Sequence, residues 1–371
     1  MIVTIDRKPE FNNCVQHPLQ SWQWGDFKSQ QAFNAVRLAR VSNENQIIEA
    51  IQVLFRKLPL IPYTIGFIAK SHIPSPELMN EIKDIARKNK AIFVKFEPEI
   101  IVKKWMNIKG NLSQTPTDLS DSYSNMKRLK DFGLIRSKTH TFGEYSFILD
   151  VDELLNRKNI DINNIDSEQK NAAVLENMDK KARYAINYSQ KHGVAIKNST
   201  SDEGIEAFNK LNEETMKRQH FVLHTGSYFR KMLKTLNDSE NRVLEILNAE
   251  YESETITSLI FFRWKDTLYY PYGASSDKHR NLMSTNLLLS KEIEKAIENG
   301  LTKIDFWGSL GPVYDQNDSW AGFHKFKQSF GPDLVQYIGS WDLVLNKFFY
   351  FLYSIADKFR KFAIKIKSYI K

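Results

Sequence analysis

An α/β protein of two domains is what this sequence predicts, on three observations. Strand-like and helix-like runs alternate along the chain instead of segregating. Its 371 residues, 42% hydrophobic and 26% charged, suffice for two ordinary cores. The pattern restarts near residue 145, where SFILDVDELL follows a stretch rich in Ser, Thr and Asn.

Composition narrows the class. A single cysteine, Cys14, excludes an intramolecular disulfide and fits a reducing compartment. The opening MIVTIDRKPE carries charge by position 6 and lacks an apolar signal-peptide core. No run reaches the roughly 18 apolar residues that a membrane span needs. The expectation is a cytoplasmic protein, peripheral at most to the inner face of the membrane. The net charge of +8 favours phosphate-rich or anionic partners. The eight histidines show no ligand spacing, so no metal is expected.

In chain order, WQWGDFK predicts a short helix in which Trp24 and Lys28, four apart, share a face. NAVRLARV and IIEAIQVLF read as strands, the second with Ile51, Val53 and Phe55 alternating with Gln52 and Leu54. YTIGFIA is a strand, and SHIPSPE breaks the chain and caps a helix over ELMNEIKDIARKNK. That helix sets Leu78, Ile82, Ile85 and Ala86 on one face, and AIFVKFEP follows as a strand. Residues 103–140 read as less regular, with GNLSQTPTDLSDSYSN a mobile loop. NRKNIDINNIDSEQKN reads as a second exposed segment.

Beyond it, KKARYAINYSQK is a basic helix with Gly193 at its C-terminus, and Arg183 and Asn187 lie one turn apart. VAIK is a strand, DEGIEAFNKLNEETMKRQHF and TGSYFRKMLKTL are helices, and VLEILNAEY, TITSLIFFRW and TLYYPYGAS are successive strands. STNLLLSKEIEKAIENG is a helix and KIDFWG a strand. From residue 194 this order, ending in a meander, a crossing helix and a further strand, is that of a GNAT-type acyltransferase. A CoA-using enzyme of that fold binds pyrophosphate on a glycine-rich turn before the crossing helix. Here the turn is SSDKHRNLMSTN, and no glycine occurs between Ala274 and Asn299. The expected fold is present, and the expected CoA cradle is not.

The tail from 346 to 371 repeats apolar residues at helical spacing and carries seven Lys or Arg against Asp357. It reads as a basic amphipathic helix of the kind that lies on membranes, or that docks on the protein body.

Taken in order, WxWGxxK, RxxxN before HGV, YGASS, DFWG and FKxxFG resemble the FemABX family of peptidyltransferases, over roughly residues 18–345. The resemblance implies two tandem GNAT-like domains. The first spans 1–145 and is completed by about 330–345; the second spans 146–329, and 346–371 is the C-terminal helix. The helices before residue 240 are too short for the long coiled-coil arm that some members carry.

It also implies an aminoacyltransferase of peptidoglycan biosynthesis, with aminoacyl-tRNA as co-substrate and no other cofactor. The acceptor would be the side-chain amine of a precursor stem peptide, on UDP-MurNAc-pentapeptide or lipid II. Lys327 then matches the lysine that stabilises the transition state, paired with Phe326. Lys28, beside Trp24, and Arg183 match residues that hold the precursor diphosphate. Asn187 stands where the family has a tyrosine, Tyr272 matches a channel tyrosine, and Lys70 replaces an arginine. The attacking amine must be neutral, and Asp305 or Glu97 is the candidate to orient it or take its proton. Two other readings compete: a CoA-dependent N-acyltransferase, and a non-catalytic, membrane-associated protein that binds tRNA or precursor.

Overall fold

The computed structural model describes residues 2–119, 121–219, 224, 226–239 and 242–357. The chain forms two compact units. One comprises Met1–Val102, Leu119–Phe142 and Tyr337–Lys371, the other Lys103–Asp118 and Gly143–Gln336. The strand Tyr145–Asp150 therefore opens the second unit's main segment, while the 103–118 segment belongs to that unit although it precedes it in sequence.

The first unit is built on a seven-stranded sheet. Its spatial order is Ile2–Thr4, Phe33–Val41, Ile47–Lys57, Thr64–Ser71, Ala91–Pro98, Trp341–Val344 and Ile135–Arg136. Thr64–Ser71 and Ala91–Pro98 are parallel, and helix Pro76–Lys88 connects them. That helix begins where Ser75 Oγ accepts from Leu78 N–H at 3.3 Å, and it buries Leu78, Met79, Ile82 and Ala86.

Helix Trp22–Ser29 packs against the strand Ile47–Lys57. This overturns the alternation expected there. Gln52 and Leu54 are buried along with Ile51, Val53 and Phe55, because the helix covers the face they point to. The buried Gln52 side chain is held through Nε2, which donates to Ser21 O at 3.2 Å, while its backbone N–H donates to Gln20 Oε1 at 2.8 Å. A Cβ on Gly25 would lie 2.0 Å from Gln52 Oε1, so the glycine of WxWGxxK sits at a closest approach.

The second unit repeats the plan in a nine-stranded sheet. Leu244–Tyr251, Glu254–Trp264 and Thr267–Ser275 form an antiparallel meander. Helix Ser284–Glu298 then crosses to Lys303–Ser309, which pairs parallel to Thr267–Ser275. Tyr145–Asp150 and Asp333–Tyr337 extend the sheet beyond it. Each unit thus carries an antiparallel meander, a crossover helix and a parallel strand, the tandem GNAT-like architecture. The two helices before residue 240 are Asp202–Gln219 and Gly226–Leu236, 18 and 11 residues long.

One sequence expectation is corrected and two readings are completed. The stretch read as a mobile loop pairs Asn107–Ile108 with Asn111–Leu112 and Thr117–Asp118 with the strand Ile101–Trp105, then forms helix Ser122–Asp131. The second exposed segment ends in helix Ser167–Asn177, opened by a capping box between Asp166 and Gln169. The N-terminal strand Ile2–Thr4 and helix Lys8–Cys14 went unread, being too short for a periodic signal.

The chain re-enters a helix over 347–357, whose Phe349, Tyr350 and Tyr353 pack on Phe93 and Tyr63. Most of the basic tail, 358–371, lies outside the described residues.

Candidate functional site

The second unit holds Lys327, Asp305 and Tyr272. Helix Ala321–Ser329 carries Lys327, whose side chain is 8% exposed. Its Nζ donates to Gly308 O at 2.6 Å and lies 3.5 Å from Trp307 O. Burial pulls its pKa down to about 8, against the opposing pull of Asp305. A buried ammonium therefore stands on the end of the strand Lys303–Ser309.

That strand end is bent to receive it. Trp307 has φ +65°, a left-handed conformation that a bulky residue rarely adopts. Asp305 holds the bend: its Oδ1 accepts from Trp307 N–H at 2.7 Å and lies 2.5 Å from Ser146 Oγ. Ser146 Oγ is in turn 2.9 Å from Trp307 O. His324, one turn before Lys327, sits 2.9 Å from Ser309 Oγ, and burial lowers its pKa to about 4, so it is neutral near pH 7.

Aromatic rings run from this bend along one face of the sheet. Trp307, Phe262, Tyr272, Phe229 and Tyr228 follow at ring separations of 6.4, 6.4, 5.1 and 5.4 Å. Tyr272 is one of them. Tyr270 faces elsewhere, because the ladder between Glu254–Trp264 and Thr267–Ser275 shifts register between Ile260 and Phe262.

Tyr270 instead lines a cavity of about 350 Å³ at the end of the meander. Phe326 lines it too, while Lys327, the next residue, turns to the carbonyls of the bend. The cavity's polar wall is Arg218, Lys278, Arg280 and the first turn of helix Ser284–Glu298. Arg218 is held by Ser275 O at 3.2 Å and Asp277 at 2.5 Å, and Lys278 pairs with Glu254 at 3.2 Å. Arg280 is exposed and makes no ion pair among the described residues. The helix start has Met283 as its N-cap, in left-handed conformation and without a side-chain capping bond. Its first residues, Ser284, Thr285 and Asn286, line the cavity, and the start of a helix favours an anion. Sequence reasoning missed this cavity, since it looked for glycines, and the structure supplies side-chain cations in their place.

The corresponding turn of the first unit differs. There Ser75 caps the crossover helix, and Ser75 N–H donates to Glu49 Oε1 at 2.8 Å. The adjoining cavity, about 310 Å³, is lined by Lys70, His72, Glu99 and Arg128 among others. A carboxylate already occupies the position an anion would take. Lys70, with φ +48°, extends its Nζ to 3.3 Å from the centre of the Tyr337 ring.

The other expected residues fall as follows. In the first unit, Lys28 Nζ lies 4.8 Å from the Phe33 ring centre and 5.7 Å from those of Trp24 and Phe27. Burial first, then Arg56, lowers its pKa to about 8. Glu97 is buried, its Oε1 accepting from Thr141 N–H at 2.6 Å and Ser340 Oγ at 2.5 Å. In the second unit, Arg183 is half-buried and Asn187 exposed on helix Lys180–Lys191. Arg183 has no ion-pair partner among the described residues. The helix is joined to that of Lys327, since Asp179 N–H, at its N-cap, donates to Ser329 O at 2.8 Å. Gly331, last residue of the FKxxFG motif, has φ +81°, and a Cβ there would meet Asn177 O at 2.5 Å.

Comparison with known proteins gives this geometry a context. The profile of the FemAB family matches residues 10–248 and 235–358. The lipid II:glycine glycyltransferase of Staphylococcus saprophyticus is 23% identical over 425 residues, covering 95% of this chain and 94% of that protein. A protein of the same name from Staphylococcus aureus is 26% identical over 412 residues, with the same coverage. A crystal structure of FemX shares the fold at a TM-score of 0.77 and 19% identity, covering 95% of this chain and 99% of that one. A tandem GNAT protein from the clavulanic acid pathway shares it at a TM-score of 0.50 and 10% identity, covering 92% and 97%. The chain belongs to the FemAB family and is a transferase of that family.

Proposed function

We propose that the protein transfers an amino acid from aminoacyl-tRNA to the side-chain amine of a peptidoglycan precursor stem peptide, and so starts or extends an interpeptide bridge. Relatives named lipid II:glycine glycyltransferases support the acceptor class. The observation that carries the reading is Lys327, a buried cation fixed on a strained strand end.

The chemistry is aminolysis of an ester. The neutral amine attacks the ester carbonyl and the C–N bond forms. The carbonyl oxygen gains charge, then the C–O bond to the terminal ribose breaks, and the proton lost by the amine ends on the departing ribose oxygen, which leaves as a hydroxyl. A preorganised ammonium stabilises the developing charge more than it stabilises the uncharged ester. Lys327 is the residue for that role. Asp305 is engaged by Trp307 N–H and Ser146, so we assign it the shape of the bend under Lys327, with proton acceptance from the amine as a second duty. Glu97 holds Thr141 and Ser340 in the first unit and is the alternative acceptor.

The cavity walled by Arg218, Lys278 and Arg280 suits the phosphates near the 3′ end of the donor. The turn 275–283 beside it holds no glycine, where a CoA pyrophosphate would need bare backbone. Lys28 with Trp24, and Arg183 with Asn187, are the proposed anchors of the precursor diphosphate. Tyr272, Phe326 and Lys70 complete the proposed binding set, and the protein would work at the inner face of the membrane.

Incubation with a mixed pool of charged tRNAs and both UDP-linked and lipid-linked precursors, followed by product mass, tests the reading. An aminoacyl increment supports it. Transfer from acetyl-CoA would favour the thioester alternative, and precursor binding without any transfer would favour a non-catalytic role.

A further inference from the structure

Helix 347–357 is tied down on one side and apolar on the other. Phe349 packs 4.4 Å from the Tyr63 ring, Tyr350 and Tyr353 each 5.2 Å from Phe93, and Tyr350 Oη donates to Asp342 at 2.8 Å. These contacts fix the rotation of the helix. The opposite stripe, Phe348, Phe351, Leu352 and Ile355, is 66%, 63%, 43% and 38% exposed. Their spacing of three, four and seven places them on one face.

A second apolar feature stands at the base of that helix. The turn between Ile47–Lys57 and Thr64–Ser71 is closed by Leu58 N–H to Tyr63 O at 3.0 Å. Its tip presents Leu60, 103% exposed with φ +69°, and Ile61, 38% exposed. Leu58 and Tyr63 belong to the same small hydrophobic cluster as Phe349, Tyr350 and Tyr353, so turn and helix are packed neighbours. Two rigid elements of the first unit thus each hold large apolar side chains in water, a cost with no gain for a free monomer.

The surrounding charge identifies what covers them. Arg56 and Lys57 flank the turn, Lys90 borders it through Thr64 N–H to Lys90 O at 3.1 Å, and Lys347 opens the helix; all four are exposed. The sequence after residue 357 holds six Lys or Arg and no Asp or Glu. We propose that the Leu60–Ile61 turn and the Phe348–Ile355 stripe form one docking surface for an anionic lipid bilayer, the apolar groups entering the interface and the basic rim meeting headgroups. It deepens the reading that places the protein at the inner face of the membrane and does not rest on the transfer reaction.

The full chain is tested by co-sedimentation with vesicles of phosphatidylcholine alone and with about one third phosphatidylglycerol. Wild type should bind the anionic vesicles and lose binding in salt. The variants L60S/I61S and F351S/L352S should each weaken partitioning by about tenfold or more, with unchanged circular dichroism. Their transfer to a soluble UDP-linked acceptor should equal that of wild type, as neither pair belongs to the proposed site. Three results would overturn the proposal. Wild type binds neither vesicle, both folded variants bind like wild type, or wild type is a dimer in solution that F351S/L352S converts to monomer, in which case a second copy covers the face.

Discussion

At the scale of single residues, Lys327 makes the sharpest predictions. Replacing it by Met removes a cation from the proposed reacting centre, and the transfer rate should fall by about 100-fold or more, read by product formation at saturating donor. The same change should stabilise the fold by about 1–3 kcal/mol near neutral pH, because a buried ammonium is costly and its removal relieves that cost; thermal unfolding checks it. An outcome with lost activity and lost stability together would point to a structural role instead.

The pH dependence has a definite sign. With a folded pKa of about 8, Lys327 is charged below that pH and neutral above it. A rate that depends on the cation therefore declines as pH rises through about 8. For stability the sign is opposite. Between about 8 and the ordinary lysine value of 10.5 the unfolded chain binds more protons than the folded one, so stability rises with pH across that window. Lys327→Met should flatten part of that rise, while Lys28, also lowered to about 8, should maintain the rest.

At the scale of elements, the motif glycines Gly25 and Gly331 are explained by close approach. Gly331→Ala would force a Cβ against Asn177 O in a left-handed conformation, and should cost about 2 kcal/mol or more, seen as a lower melting temperature. Asn177 Nδ2 also donates to Gly331 O at 2.8 Å, so that change loosens the link between helices Ser167–Asn177 and Ala321–Ser329. The C-terminal helix has a comparable fastening. Tyr350→Phe should leave Asp342 with Lys95 and Ser137 as partners and cost about 1 kcal/mol, a loss that denaturant unfolding would detect.

Elements were legible in the sequence where periodicity was long. Helix Pro76–Lys88 and the three meander strands of the second unit followed from their apolar spacing. Gln52 was not legible as a core residue, since its partners Gln20 and Ser21 come from a segment more than 30 residues away. Nor was the register shift that turns Tyr270 into the cavity and leaves Tyr272 among aromatic rings, because a bulge has no signature in alternation alone.

At the scale of the molecule, one acyltransferase plan occurs twice and the two copies have diverged at the same turn. In the first, Glu49 and Ser75 close the start of the crossover helix. In the second, that start is open and flanked by Arg218, Lys278 and Arg280. This asymmetry supports the second unit as the seat of the proposed anionic donor. The sequence announced half of it, by lacking glycines in SSDKHRNLMSTN. The cations that stand in for them come from a helix some 60 residues earlier and from the turn itself, a grouping that only the fold creates.

The most direct measurement offers the protein both donors at once, a charged tRNA pool and acetyl-CoA, with a peptidoglycan precursor as acceptor, and weighs the product. The account predicts an increment of one or more aminoacyl residues, abolished by Lys327→Met. An acetyl increment, or an aminoacyl product formed equally well by Lys327→Met, would contradict it.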